Sequence, residues 1–221
     1  DHQNSKPAAI RYFIMRFIAG MCLLAGTVLI ITNFDSRELI LLTTNIENNF
    51  SDNSISAVLI LIGLLINVGA LPFSSWMTDS YPSAKTSGTV FLMAYTSKVS
   101  VFCLIILFPE LDILRYFGIA MFLYGVIYAV IENNLRRILC FASISQKGIR
   151  LMAISIGTRD LLAAAAILAF CHILYKCLMT ICTGIITDTT EVEFATDIKK
   201  LPYSLWPVGI GIVVGLCFII A

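Results

Sequence analysis

The sequence predicts an all-α, polytopic membrane protein with about seven transmembrane helices. Hydrophobic residues make up 58% of the 221 residues, charged residues make up 13%, and the mean hydropathy is +0.89. A soluble domain carries roughly a quarter charged residues, so this chain has too few to cover a water-facing surface. Apolar runs of about 20 residues, long enough to cross a bilayer as a helix, recur throughout. A β-barrel would instead need short alternating segments.

The apolar runs set the expected order of the helices. The predicted bounds are 12–32, 55–78, 87–108, 112–131, 138–157, 161–186 and 203–221. Pro72 follows Gly69 inside the second run, and proline removes a backbone donor and clashes with the preceding turn, so we expect an interrupted or kinked helix there. The polar stretches 33–54 and 187–202 are predicted to be loops.

All of the residues, 1–221, are expected to form a single transmembrane domain. The sequence begins with Asp1 rather than Met and ends inside an apolar run at Ala221. We therefore expect it to be part of a longer protein, with helices missing on both sides. The net charge is only +1 and no segment is strongly basic, which argues against a nucleic-acid partner.

The positive charges predict the orientation of the chain, because short cytoplasmic loops carry an excess of Lys and Arg. One set of predicted helix ends carries eight of these residues: Lys6, Arg11, Arg16, Lys85, Arg136, Arg137, Lys199 and Lys200. The other set carries three: Arg37, Arg115 and Arg159. The first set is expected to face the cytoplasm, which places residue 1 inside and the 33–54 loop outside.

Several charged residues lie inside the apolar runs. Lys98, Lys147 and Lys176 are close to the middle of three predicted helices, and Arg150 follows Lys147 by one turn. His172 precedes Lys176 by four residues, which puts both on one helix face. A cation at mid-bilayer costs about 2.5–3.5 kcal/mol on insertion scales, and the membrane surface is about 15 Å away. These residues are therefore predicted to face a polar or hydrated interior path.

The residue types in this interior set suit proton transfer. A lysine enclosed in apolar surroundings gives up its proton more readily than one in water, and histidine exchanges protons near neutral pH without such help. A line of lysines and histidine separated by waters would form a proton wire. The same residues could also form a static ion pair, and the sequence leaves this alternative open.

Four segments of the sequence resemble motifs that occur together in one family. Residues 71–82, LPFSSWMTDSYP, resemble a P-x-x-x-W-x-x-D-x-Y signature, and residues 96–99, TSKV, a Lys-Val segment. Residues 136–146, RRILCFASISQ, resemble a K/R-R-x-L run, and residues 172–177, HILYKC, an H-x-x-x-K helix. In this order and over nearly the whole chain, the motifs resemble those of the antiporter-like membrane subunits of respiratory NADH–quinone oxidoreductase (complex I) and of Mrp-type multisubunit cation/proton antiporters.

The resemblance implies a proton-translocating subunit in a multisubunit complex. The chain would match helix six to the start of helix twelve of a fourteen-helix subunit, in a bacterial inner membrane. Its partners would be the lipid bilayer, other membrane subunits, protons and, in an antiporter, sodium. Neither kind of subunit holds flavin, iron–sulfur or nicotinamide, and no cofactor or metal site is expected here.

The motifs are closer to the D-type subunit of Mrp antiporters, with the M-, N- and L-type subunits of NADH–quinone oxidoreductase as the alternative. In the second case the chain would belong to a redox-driven translocase, and in the first to a transporter. A third alternative is a non-conducting scaffold that descends from such a subunit.

The resemblance also assigns roles to individual residues. Lys98 matches the lysine of the central hydrophilic axis, and His172 and Lys176 match the next polar station. The family has a further lysine a few residues before its x-P-x-x-x-W motif, where this chain has Asn67, which carries no proton charge. Either Lys147 supplies the charge missing at Asn67, or the subunit has lost its pumping activity. Loss is the simpler change, and both alternatives remain open.

Overall fold

The computed structural model describes residues 2–33, 55–190, 192–197 and 203–220. The predicted loop 33–54 lies outside these residues except for its first position. Short 3₁₀ turns occur at Ala195–Asp197 and Tyr203–Leu205. The α-helices of the described residues are α1 (His2–Asn33), α2 (Ile55–Val68), α3 (Ser75–Ser83), α4 (Thr86–Tyr95), α5 (Lys98–Leu107), α6 (Asp112–Ile131), α7 (Leu135–Ile156), α8 (Arg159–Thr190) and α9 (Trp206–Ile220).

These helices confirm the predicted all-α membrane architecture. Among the described residues, five segments are long and apolar enough to cross a bilayer: residues 5–32 of α1, α4 with α5, and each of α6, α7 and α8. The shorter apolar helices α2 and α9 complete the seven predicted segments. Helix α6 has the predicted bounds, whereas α8 continues to Thr190 and so includes the first residues of the predicted 187–202 loop.

Helix α1 begins ten residues earlier than predicted, at His2 rather than at residue 12. Its first turns are polar, and a helix keeps its own backbone hydrogen bonds whether water or lipid surrounds it. The early start changes the position of Arg16, which was counted among the residues at a helix end. Arg16 instead lies near the middle of α1, so seven rather than eight Lys and Arg residues remain in the set predicted to face the cytoplasm.

The predicted interruption near Pro72 is confirmed as a complete break. Helix α2 ends at Val68, Gly69 has a φ of 81°, and α3 begins at Ser75. A positive φ is a conformation in which glycine avoids the steric penalty of a side chain. The Leu71–Pro72 bond is cis. The break leaves the last carbonyls of α2 without partners in their own helix.

A second break, between α4 and α5, was not predicted. The sequence predicted one helix over 87–108, but Thr96 and Ser97 separate α4 from α5. Thr and Ser side chains compete for backbone hydrogen bonds, which makes such a pair a weak point in a helix. Lys98 is therefore the first residue of α5 rather than the centre of a continuous helix.

Helix α7 is the centre of the bundle. It packs against α6 and α8 and also contacts α3 and α5. Its spanning segment is 67% buried, compared with 17% for α1 at the periphery. Close approach to α6 depends on small residues: a Cβ at Gly125 would lie 2.5 Å from the Ser145 nitrogen, and one at Gly148 would lie 2.6 Å from the Gly118 oxygen. Small residues allow such backbone contact between membrane helices.

One end of the bundle gathers many of the charged residues. Arg11 and Arg137 both pair with Asp79, at 2.8 and 3.4 Å, and Arg136 pairs with Asp188 at 2.9 Å. A surface cleft at this end is lined by residues that include Arg11, Lys85, Arg136 and Arg137. Four members of the predicted basic set therefore do lie together. Lys199, Lys200 and Arg37 fall outside the described residues.

Candidate functional site

The predicted interior residues form one buried cluster. Their side chains come from α5, α7 and α8, and each residue is at most 4% exposed. His172 interacts electrostatically with all four cations of the set, which are Lys98, Lys147, Arg150 and Lys176. The fold therefore brings together residues that are up to 78 positions apart in the sequence.

Two lysines of the cluster bind carbonyls at the two helix breaks. Lys98 Nζ donates to the Met93 oxygen at 2.7 Å, back across the break between α4 and α5. Lys147 Nζ donates to the Val68 oxygen at 2.9 Å and to Met77 Sδ at 3.0 Å, at the break between α2 and α3. The C-terminal end of a helix carries unpaired carbonyls and a partial negative charge, so it attracts cations.

The third lysine, Lys176, also binds a backbone carbonyl, but not at a helix break. Lys176 Nζ donates to the Leu139 oxygen in the first turns of α7, at 3.1 Å. Beside it, the Tyr175 hydroxyl donates to the side-chain oxygen Oε1 of Gln146 at 2.7 Å, and Arg150 Nε donates to the backbone carbonyl oxygen of Gln146 at 3.2 Å. The contact between α7 and α8 is therefore polar at the level of the cluster, although both helices expose apolar side chains elsewhere.

Three buried nitrogens of the cluster lack a hydrogen-bond partner among the described residues. These are Nδ1 and Nε2 of His172 and Nη1 of Arg150. Buried polar groups almost always have a partner, and ordered water supplies it where protein does not. The unpartnered nitrogens are thus the positions at which internal waters would bind within the cluster.

No carboxylate lies in the cluster among the described residues. Every buried charged residue described is a cation, and the ion pairs of the described chain join side chains that are at least partly exposed. A buried ammonium is usually paired with a carboxylate, which holds its charge in place. A carbonyl is a weaker partner, since it bears only a partial charge. Within the described residues, the lysines of the cluster are therefore held by hydrogen bonds to backbone carbonyls rather than by ion pairs.

Asn67 lies beside this cluster in the last turn of α2 and is 9% exposed. It is not isolated, because Nη1 of Arg16 donates to its Oδ1. From the sequence, Arg16 was expected at the end of a helix, and this contact was missed. The sequence did contain an indication of this contact: Arg16 is the only charged residue in the apolar run 12–32, so it needed a polar partner inside the protein.

The fold and the cluster define a class of protein: a polytopic helical membrane protein with a cluster of buried cations, two of which bind carbonyls at helix breaks. The chain belongs to the NADH:quinone oxidoreductase/Mrp antiporter transmembrane family, whose model matches residues 1–215. The resemblance seen in the sequence motifs is thereby confirmed.

Curated relatives are subunits of NADH-quinone oxidoreductase. Subunit N 1 of Chloroherpeton thalassium is 30% identical over 171 residues, which cover 72% of this chain and 36% of the relative. Subunit M of Buchnera aphidicola is 29% identical over 167 residues, covering 69% and 33%. Subunit N of Halorhodospira halophila is 27% identical over 217 residues, covering 91% and 44%. The chain thus spans less than half the length of these relatives.

Two solved structures share the fold. The structure of the membrane-bound sulfane sulfur reductase, an archaeal respiratory membrane complex, contains a chain that matches with a TM-score of 0.84 and 20% identity, over 95% of this chain and 45% of that one. The Mrp complex from Dietzia sp. contains a chain that matches with a TM-score of 0.72 and 22% identity, over 81% and 35%. Both are multisubunit membrane complexes.

Proposed function

We propose that this chain is part of a proton-translocating subunit in a multisubunit membrane complex. The observation that carries the proposal is the buried cluster of three lysines and one histidine whose lysine partners are backbone carbonyls rather than carboxylates. Such residues are costly inside a membrane and mark ion or proton paths. Family membership agrees with this role.

The proposed path runs through Lys98, His172 and Lys176, with Lys147 as a further station. Lys98 and Lys147 lie at the two helix breaks, and Lys176 lies one turn from His172 on α8. Protons would move between these amines through waters bound at the unpartnered nitrogens of His172. Because the cations repel one another, a proton arriving at one lysine favours departure from the next.

Lys147 supports the alternative in which the charge missing at Asn67 has been relocated. Its ammonium group is hydrogen-bonded to the carbonyl of Val68, the residue next to Asn67. A cation from α7 thus reaches the end of α2, although α2 itself provides none. This contact favours a rewired path over a subunit that no longer conducts.

The names of the relatives shift the preferred complex. The sequence motifs favoured the D-type subunit of Mrp antiporters, but the curated relatives reported above are N and M subunits of NADH-quinone oxidoreductase. We therefore propose a redox-driven translocase first. The fold shared with a chain of the Mrp complex keeps a cation/proton antiporter as the second candidate.

The direct test uses inverted membrane vesicles that contain the assembled complex with its full-length subunit. Lys98→Ala and Lys176→Ala are each expected to abolish proton uptake, because each removes a station that its neighbours cannot replace. Proton uptake is followed with a pH-sensitive dye. It is driven by NADH and quinone in one arm and by an imposed sodium gradient in the other, so the two arms separate translocase from antiporter.

The matched control is Lys85→Ala, which removes an exposed lysine at the charged end. It is expected to keep wild-type uptake. Uptake that is unchanged in either Lys98→Ala or Lys176→Ala would remove that residue from the path. A wild-type complex that takes up no protons in either arm would support the non-conducting scaffold instead.

A further inference from the structure

Arg16 is an inward-facing cation that the proposed path does not use. It lies on α1 five residues beyond Arg11, which is exposed and pairs with Asp79 at the charged end. An arginine so near that end could extend toward it. The guanidinium of Arg16 instead points into the bundle, with Cζ 5.0 Å from the ring centroid of Trp76, a residue that is 2% exposed. An aromatic face stabilises a cation at this distance.

The guanidinium joins the two helix breaks. Nη1 donates to Oδ1 of Asn67 at the end of α2, and Nη2 donates to the oxygen of Thr96 at 3.2 Å, between α4 and α5. A guanidinium has several donors in a fixed plane, so it can bind two acceptors at a defined separation. Arg16 therefore bonds to both interruptions at which the buried lysines lie.

The two contacts place Arg16 next to two lysines of the path. Val68, whose carbonyl binds Lys147, follows Asn67 directly, and Lys98 is two residues after Thr96. Lys147 also interacts electrostatically with Arg16. Arginine keeps its proton throughout the accessible pH range, so its charge is permanent where the lysine charges can change.

We propose that Arg16 is a positioning residue that supplies a permanent positive charge at position 67 and holds the two helix breaks in register for Lys98 and Lys147. This inference rests on the proposed proton translocation. The permanent charge limits how many of the neighbouring lysines hold a proton at once, because like charges in an apolar enclosure repel strongly. Without Arg16, the lysines of the path would remain, but the helix breaks that position them and the number of protons they hold would change.

The test exchanges the charge between positions 16 and 67 in the full-length subunit of the assembled complex. Arg16→Gln is expected to lower proton uptake about tenfold, the change in rate that corresponds to a lost interaction of about 1.4 kcal/mol. Adding Asn67→Lys to Arg16→Gln is expected to restore at least half of the wild-type rate, because the lysine returns a cation to the same place. Arg11→Gln, the same change on the exposed part of α1, is the matched control and should have wild-type uptake.

Each outcome decides the proposal provided that wild-type vesicles take up protons. Wild-type vesicles that take up no protons would reject the proposed function itself. Uptake in the double variant no better than in Arg16→Gln would show that Arg16 acts only through packing against Trp76. If Arg16→Gln fails to assemble, Asn67→Lys alone is compared with Asn67→Met, which has similar length and no charge. The lysine variant is expected to be slower by about fivefold, a modest coupling between two charges. Equal rates in these two variants would overturn the proposal.

Discussion

Helix α7 carries two kinds of cation, and they differ in their partners. Arg136 in its first turn is fixed by a carboxylate, since Nη2 lies 2.9 Å from Oδ1 of Asp188. Lys147, about 16 Å further along the helix, is 1% exposed and binds the Val68 carbonyl and Met77 sulfur. The ion pair holds the Arg136 guanidinium in place at one end of the helix. Lys147 has no carboxylate partner among the described residues, and lysine, unlike arginine, can give up its proton; we propose that it does so during proton transfer.

The largest expected effect is from Lys147→Leu, which removes the changeable charge and keeps most of the side-chain volume. If Lys147 replaces the charge that Asn67 lacks, this variant should abolish proton uptake as completely as Lys98→Ala. The measurement is dye-monitored uptake in vesicles, normalised to the amount of assembled complex. Wild-type uptake in Lys147→Leu would reject the rewired path.

A smaller effect is expected when the interior site is made to resemble the end of α7. Met77 is 1% exposed and its sulfur is 3.0 Å from Lys147 Nζ, so Met77→Glu would place a carboxylate beside the ammonium. A nearby carboxylate favours the charged form of the lysine, and proton uptake should fall about tenfold, the effect of about 1.4 kcal/mol of added stabilisation, while the complex still assembles. The matched control, Met77→Gln, has the same shape without charge and should be faster than Met77→Glu. Equal rates would mean that the charge of Lys147 does not change during turnover.

The regular helices could be predicted from the sequence because apolar length alone determines them. Helix α6 was predicted at 112–131 and has those bounds. The break at Pro72 was also predictable, since proline and glycine act on their own backbone. The membership of Lys98, Lys147, His172 and Lys176 in one interior set followed from the cost of charge in a bilayer.

The break at Thr96–Ser97 and the inward position of Arg16 could not be predicted in this way. Each depends on the other, because Arg16 donates to the carbonyl of Thr96 that the break leaves exposed. Local propensity says little about a contact across 80 residues of sequence. Similarly, the charge at Lys147 could be predicted from the sequence, but its contact with Val68 could not, because it requires the packing of α7 against the other helices.

The smallest effect is expected at the fixed end of α7. Asp188→Asn removes the ion pair, but Arg136 keeps three neutral acceptors: the carbonyl of Ala84 at 3.0 Å and the hydroxyls of Thr86 and Thr187, each at 2.9 Å. An ion pair whose carboxylate is 58% exposed contributes under about 1 kcal/mol. Uptake should stay within about twofold of wild type.

The thermal midpoint of the solubilised complex measures the stability of this end. Asp188→Asn should lower it only slightly, whereas Arg136→Met, which removes all of the acceptor contacts at once, should lower it more and leave the hydroxyl of the buried Thr187 without this donor. High salt should remove most of the difference between Asp188→Asn and wild type, because salt screens an exposed pair. If Asp188→Asn instead stops proton uptake as Lys147→Leu is expected to do, then Arg136 and Asp188 belong to the proton path. Arg136 and Lys147 would then differ in exposure but share one function.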